Sequence, residues 1–202
     1  MMNEDVLSII RQEAEAVMNI PVSDDYAKAV NLITECVHNK NGKLITSGMG
    51  KAGQVAMNIA TTFSSTGTPA FFLHPSEAQH GDLGIVCPND IMLLVSNSGR
   101  TRELLELVEL TRGLHPDMMF IVITGNFRSE LAKQANVCLF TGDPPEVCAL
   151  GLTPTTSTTV MNVIGDILVV SVMKRINFGY SDYAKRHHGG YLGSKSRGKC
   201  NH

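Results

Sequence analysis

At 202 residues, with 43% hydrophobic and 18% charged side chains, the chain has the size and composition of one packed globular domain, which excludes a disordered or fibrous protein. Its 17 basic and 19 acidic residues give a net charge of −2, without the broad positive field on which duplex nucleic-acid binding relies, so no nucleic-acid partner is expected. Five widely spaced cysteines with no CxxC pair argue against a disulfide framework or a zinc knuckle.

Residues 4–18 place Val6, Ile9, Ile10 and Val17 on one helical face, and a second helix is predicted over 23–38. This acidic amino end lacks the basic and apolar regions of a secretory signal. After Asn39-Lys40-Asn41-Gly42 the pattern changes to short apolar runs alternating with helix-length segments, the mark of a parallel α/β architecture. Strands are predicted over 43–47, 70–73, 91–95, 119–124 and 137–140, with helical periodicity over 55–63, 103–111 and 129–135. A long apolar helix over 156–176 should be largely buried. Apolar runs such as 167–173 fall short of the roughly 20 residues that span a bilayer, so a cytoplasmic protein with no membrane partner is expected.

In an open parallel sheet, ligands bind beyond the carboxyl ends of the strands, so the chemistry is sought in those turns. The first, Ser47-Gly48-Met49-Gly50-Lys51-Ala52-Gly53, matches GxGxxG between a strand and a helix. The acid that would hold a dinucleotide ribose is missing, because the second strand ends Phe71-Phe72-Leu73-His74. A P-loop is excluded too, since Ile45 and Ala52 stand where a glycine and a Ser or Thr are needed. What remains is a turn at Gly50 open to close backbone approach, with Lys51 as a cation at its tip; the plain alternative is tight helix–sheet packing.

The second turn, Ser96-Asn97-Ser98-Gly99-Arg100-Thr101-Arg102-Glu103, sets hydroxyls and an amide beside free backbone N–H groups at a helix start, a phosphomonoester cradle. An N-cap alone would need only one such side chain. Arg100 and Arg102 either add charge-assisted contacts or stay solvated. His74 to Gly84 is a loop dense in ionisable groups, where histidines near Glu or Asp suit proton transfer, and no tight metal-ligand spacing such as HxxxH is present. Glu146 then precedes an apolar turn and a hydroxyl-rich helix start at Thr155-Thr156-Ser157-Thr158-Thr159, where capping and ligand contact are equal readings. Near the carboxyl end, Arg186-His187-His188-Gly189-Gly190 lies outside any periodic segment.

Taken together, SGMGKAG, STGTPAFFLHPSEAQHGDLG, SNSGRT, PEVCALGLTPTTSTT and HHGGYLG resemble the sugar isomerase (SIS) domain, and within it the arabinose-5-phosphate isomerase branch that begins Kdo synthesis for lipopolysaccharide. The resemblance implies a three-layer αβα sandwich around a five-stranded parallel sheet, as one domain over 1–202. Its parts would be N-terminal helices over 1–40, an α/β core and site segment over 41–193, and a flexible tail over 194–202. It implies an aldose–ketose isomerase interconverting D-arabinose 5-phosphate and D-ribulose 5-phosphate through an enediol, with no redox cofactor or essential metal. Ser96, Asn97, Ser98 and Thr101, with Gly50, would bind the substrate, and Lys51, His80, Glu103, Glu146 and His187 would surround the reacting sugar. Glu103 or a histidine would be the C2 base. Homotetramers whose sites borrow groups from neighbouring subunits are typical of the branch. The family's HPGG reads His187-His188-Gly189-Gly190 here, which leaves His187 and His188 as alternatives. Most members continue into two CBS-type regulatory domains, which this sequence does not contain. Control is therefore expected within the catalytic domain or not at all, and a downstream acidic sugar such as Kdo or CMP-Kdo, competing at the cationic pocket, is the expected inhibitor. A phosphosugar-binding regulatory protein and an isomerase of another sugar phosphate are the rival functions.

Overall fold

The computed structural model describes residues 2–200. Helix α1 (Met2–Met18) precedes α2 (Asp25–Ile33), which widens into a π-helical stretch at Thr34–Asn39. The alternating part then runs β1 (Leu44–Gly48), α3 (Gly50–Ser65), β2 (Ala70–Phe72), α4 (Pro75–Ala78), β3 (Ile91–Val95), α5 (Arg102–Leu114), β4 (Met119–Thr124), α6 (Glu130–Gln134) and β5 (Val137–Phe140). A long α7 (Thr156–Arg175) and two short helices, α8 (Tyr180–Arg186) and α9 (Gly190–Cys200), complete it.

The five strands pair in parallel in the order β2-β1-β3-β4-β5. Every residue of β1 and β3 is buried, as expected of strands covered on both faces. The period of two divides them: Leu44, Leu93, Val95, Ile121 and Ile123 face a core shared with α2, α3 and α7. Ile45, Met92, Leu94, Phe120 and Val122 face a second core with α4, α5 and α6. The result is the expected αβα sandwich. At the amino ends of the strands, the buried Asp90 carboxylate accepts from Lys43 N and Cys87 N and pairs with Lys43 Nζ at 2.7 Å, locking the start of β1 to that of β3.

Two expectations need correction. The stretch expected as a flexible tail over 194–202 is helical as far as Cys200: α9 packs on α8, and Arg197 Nη1 donates to His187 O and His188 O. Residues 201 and 202 lie outside the described residues. Second, α7 is long and apolar enough to cross a membrane by length and composition, with a mean hydropathy of 1.5, because its scattered Ser, Thr and Asn weigh little in that average. Half of that stretch is buried inside the protein, where Val160, Ile164, Leu168 and Val172 meet the sheet and α3.

Candidate active site

The β1–α3 turn is drawn tight: Gly50 has φ +57, a left-handed conformation that favours glycine, and a Cβ on Gly53 would stand 2.6 Å from Gly48 O. This close approach brings Lys51, on the first turn of α3, over the carboxyl end of the sheet. Beside it, the β3–α5 loop is braced from within. Ser96 Oγ and Thr101 Oγ1 hydrogen-bond at 2.8 Å, and Ser96 Oγ also accepts from Gly99 N at 3.1 Å. Ser98 Oγ accepts from Arg100 N at 3.2 Å, while its side chain stands exposed. Thr101 occupies the N-cap of α5 without a side-chain cap hydrogen bond, so the helix start presents its N–H groups and dipole beside these hydroxyls.

Both turns open onto a cavity of about 1020 Å³ at the carboxyl ends of β1, β3, β4 and β5. Lys51, Ser96, Asn97, Ser98, Thr101 and Glu146 line it, so six of the expected site residues converge there. Gly50 sits beside Lys51 with open space where its Cβ would be.

Glu146 is the most tightly held of the six. Its Oε2 accepts from Thr155 N at 2.8 Å, Thr155 Oγ1 at 2.9 Å and Ser157 N at 3.3 Å, which makes it the anionic cap of α7. Partial burial pushes its carboxyl up, but the hydrogen bonds from Ser157 and Thr155 outweigh this and hold it below the usual carboxylate range. In the adjacent turn, hydrogen bonds from Thr153, with the Thr153 N–H 3.2 Å from Sγ, lower the Cys148 thiol to about 7.

The other three expected residues lie outside the cavity. His80 is exposed in the loop after α4, on the α5 side of the sheet, where Gln79 Nε2 donates to Glu106 Oε2 at 2.7 Å. Glu103 is half-buried on the first turn of α5. His187 follows α8, its ring stacked on Tyr183 with centroids 3.7 Å apart and its Nδ1 beside Tyr183 O at 3.1 Å. Neighbouring Arg186 lies against Phe178 and Gly67, just past the carboxyl end of α3, whereas Lys51 stands at the amino end of that helix. Arg102 is paired with Glu106 at 2.6 Å and does not line the cavity; Arg100 does.

Sequence reasoning missed the loop after β4. Asn126 and Arg128 line the cavity, as do Phe127 and Phe140, whose rings meet edge to face at 5.3 Å, and Asp143 after β5. Thr124-Gly125-Asn126 carried a usable signal, a glycine directly after a predicted strand, but lacked the density of hydroxyls and charges that marked the other turns.

The SIS domain family matches residues 37–171. The arabinose 5-phosphate isomerase KdsD of Yersinia pestis is 42% identical over 186 residues, which are 92% of this chain and 55% of that protein. The chain thus spans about half the length of the curated relatives it matches. Among solved structures, a candidate phosphosugar isomerase involved in capsule formation from Bacteroides fragilis NCTC 9343 is 65% identical, with a TM-score of 0.93 over 95% of this chain and 100% of the other. The c3406 protein of E. coli CFT073, solved in complex with arabinose 5-phosphate, is 34% identical, with a TM-score of 0.82 over 93% of this chain and 100% of that one.

Proposed function

Because the chain belongs to the SIS domain family, we propose that it is an aldose–ketose isomerase interconverting D-arabinose 5-phosphate and D-ribulose 5-phosphate. The observation that carries this reading is the convergence of a hydroxyl-rich loop, an uncapped helix start and Lys51 on one cavity. Similarity to the KdsD isomerases and to a protein solved with arabinose 5-phosphate supports the substrate.

The phosphate rests on Ser98, Thr101 and the amino end of α5, far enough from the reacting carbons to supply binding energy for orientation. The sugar ring opens, a base takes the proton from C2, and the electron pair moves toward the C1 carbonyl to give the enediolate. The O2 proton passes to O1, the base returns its proton to C1, and C2 is left as the carbonyl of the ketose. Lys51 stabilises the oxyanion that develops on O1. Glu146, held ionised by three donors, fixes Thr155 and, at the cavity wall, Ser157 instead of exchanging protons. Glu103, His80 and His187 remain the candidates for the C2 base and the ring-opening acid. The placement of His187 at the far end of α3 supports its delivery from a neighbouring subunit, within the homotetramer expected of a cytoplasmic enzyme of this branch. CMP-Kdo, competing for Arg100 and the phosphate loop, is the proposed inhibitor. The activity serves the first step of Kdo synthesis.

The location of His80, Glu103 and His187 outside the cavity favours one second reading, a phosphosugar-binding regulatory protein without turnover. Proton NMR with D-arabinose 5-phosphate in D₂O separates the two. Ketose signals with loss of the C2 proton are expected; binding without exchange would establish the regulatory reading.

A further inference from the structure

Two acceptor oxygens converge on the space over Gly125, at the carboxyl end of β4. A Cβ on this glycine would stand 2.5 Å from Asn97 Oδ1 and 3.1 Å from Asp143 Oδ1, so only a glycine lets the two side chains approach each other. Asn97 Oδ1 is buried there with no donor among the described residues. An orphaned amide oxygen beside a carboxylate is costly, and the backbones that carry both side chains are held in place. The Asn97 backbone is anchored, since its carbonyl accepts from Gly125 N at 3.0 Å and Thr124 Oγ1 at 3.1 Å. Asp143 is held in a left-handed conformation, φ +52, with its N–H donating to Thr141 Oγ1 at 3.3 Å.

One freedom remains. An asparagine amide carries an acceptor oxygen and a donor nitrogen that exchange places on a half-turn of its last torsion. We propose that Asp143 is a positioning residue that acts through Asn97: its carboxylate accepts from Asn97 Nδ2, so that Asn97 presents Oδ1, an acceptor, to the bound ligand. Asn97 then reads a sugar hydroxyl and not the phosphate, which is left to Ser98, Thr101 and the start of α5. This rests on the sugar-phosphate reading of the cavity and deepens it, because it divides the cavity floor into a phosphate-donating side and a hydroxyl-accepting side.

A double-mutant cycle tests it. Affinities for inorganic phosphate and for arabinose 5-phosphate are measured by calorimetry on the wild type, Asp143→Ala, Asn97→Ala and the double variant. With Asn97 present, Asp143→Ala frees Nδ2 to turn toward the ligand. It should tighten inorganic phosphate about tenfold and lower the preference for arabinose 5-phosphate over phosphate by a similar factor. In the Asn97→Ala background the same substitution should change neither by more than about twofold. The Asn97 side-chain NH₂ pair in a proton–nitrogen NMR spectrum, identified by its loss in Asn97→Ala, should shift in Asp143→Ala. An equal effect of Asp143→Ala in both backgrounds would mean that its charge acts directly on the ligand and would overturn the proposal, as would no effect in either. A wild-type protein that binds phosphate but neither binds nor isomerises arabinose 5-phosphate would refute the proposed function, while the phosphate cycle would still decide the role of Asp143.

Discussion

The rim of the sheet and the α8–α9 hairpin each carry part of the expected catalytic set, but they deliver it differently. At the rim, Lys51, Ser98 and Glu146 come from turns widely separated in sequence, yet parallel strand pairing aligns all their carboxyl ends and brings the turns to one cavity. The hairpin follows α7 back past the carboxyl end of α3, a helix of 16 residues and hence about 24 Å long, and leaves His187 at the opposite end from Lys51. Sheet topology assembles a site within one chain; in the proposed function the terminal hairpin serves the site of another copy.

The sharpest way to break this contrast is complementation. Lys51→Ala and His187→Ala should each lose about 10²- to 10⁴-fold in kcat. Mixing the two inactive proteins, with subunit exchange, should restore activity to more than tenfold that of either alone; no recovery would place His187 in its own chain's site. A Glu103→Ala enzyme that loses less than tenfold would remove Glu103 from the candidate bases.

The rim also depends on the frame beneath it. Asp90→Ala removes the anion that locks β1 to β3 and should cost about 3 kcal/mol, read as a lowered midpoint in urea. Glu146→Gln should cost about 1 kcal/mol through the weakened α7 cap. Its pH dependence has a definite sign. The folded pKa lies below the unfolded one, so the stabilisation is complete above the unfolded value of about 4.3 and is lost as pH falls through the folded value. The variant should therefore show a flatter acid limb in a stability–pH profile. The smallest effect concerns the turn at the cavity mouth. Alkylation of Cys148 should reach half its maximal rate near pH 7, against about 8.5 for an ordinary thiol, and a midpoint near 8.5 would show that the Thr153 contact does not persist in solution.

The architecture was legible because buried parallel strands leave continuous apolar runs: 91–95, 119–124 and 137–140 coincide with β3, β4 and β5. The glycine turn and the serine loop were legible for a related reason, since the direction of a parallel strand fixes which end its turn occupies. The hairpin was not. Tyr180–Arg186 and Gly190–Cys200 have no sustained apolar stripe; they are held by ring stacking and by Arg197 reaching back to carbonyls, contacts that leave no period in a sequence. Nor could Asp143 be singled out, because its place beside Asn97 depends on the missing side chain of Gly125, which acts through space and not along the chain.

The Lys43–Asp90 lock has a kinetic side as well. It joins residues 47 positions apart, and β1 lies between β2 and β3. A nascent chain therefore completes β1 and β2 long before the central partner of β1 exists. Closing that loop must be met in entropy before the pairing returns anything, which sets folding in the slower regime of non-local topologies. Until then one edge of β1 presents unpaired backbone N–H and C=O groups to other chains, so the interval between making residue 48 and residue 95 leaves this protein open to misassembly.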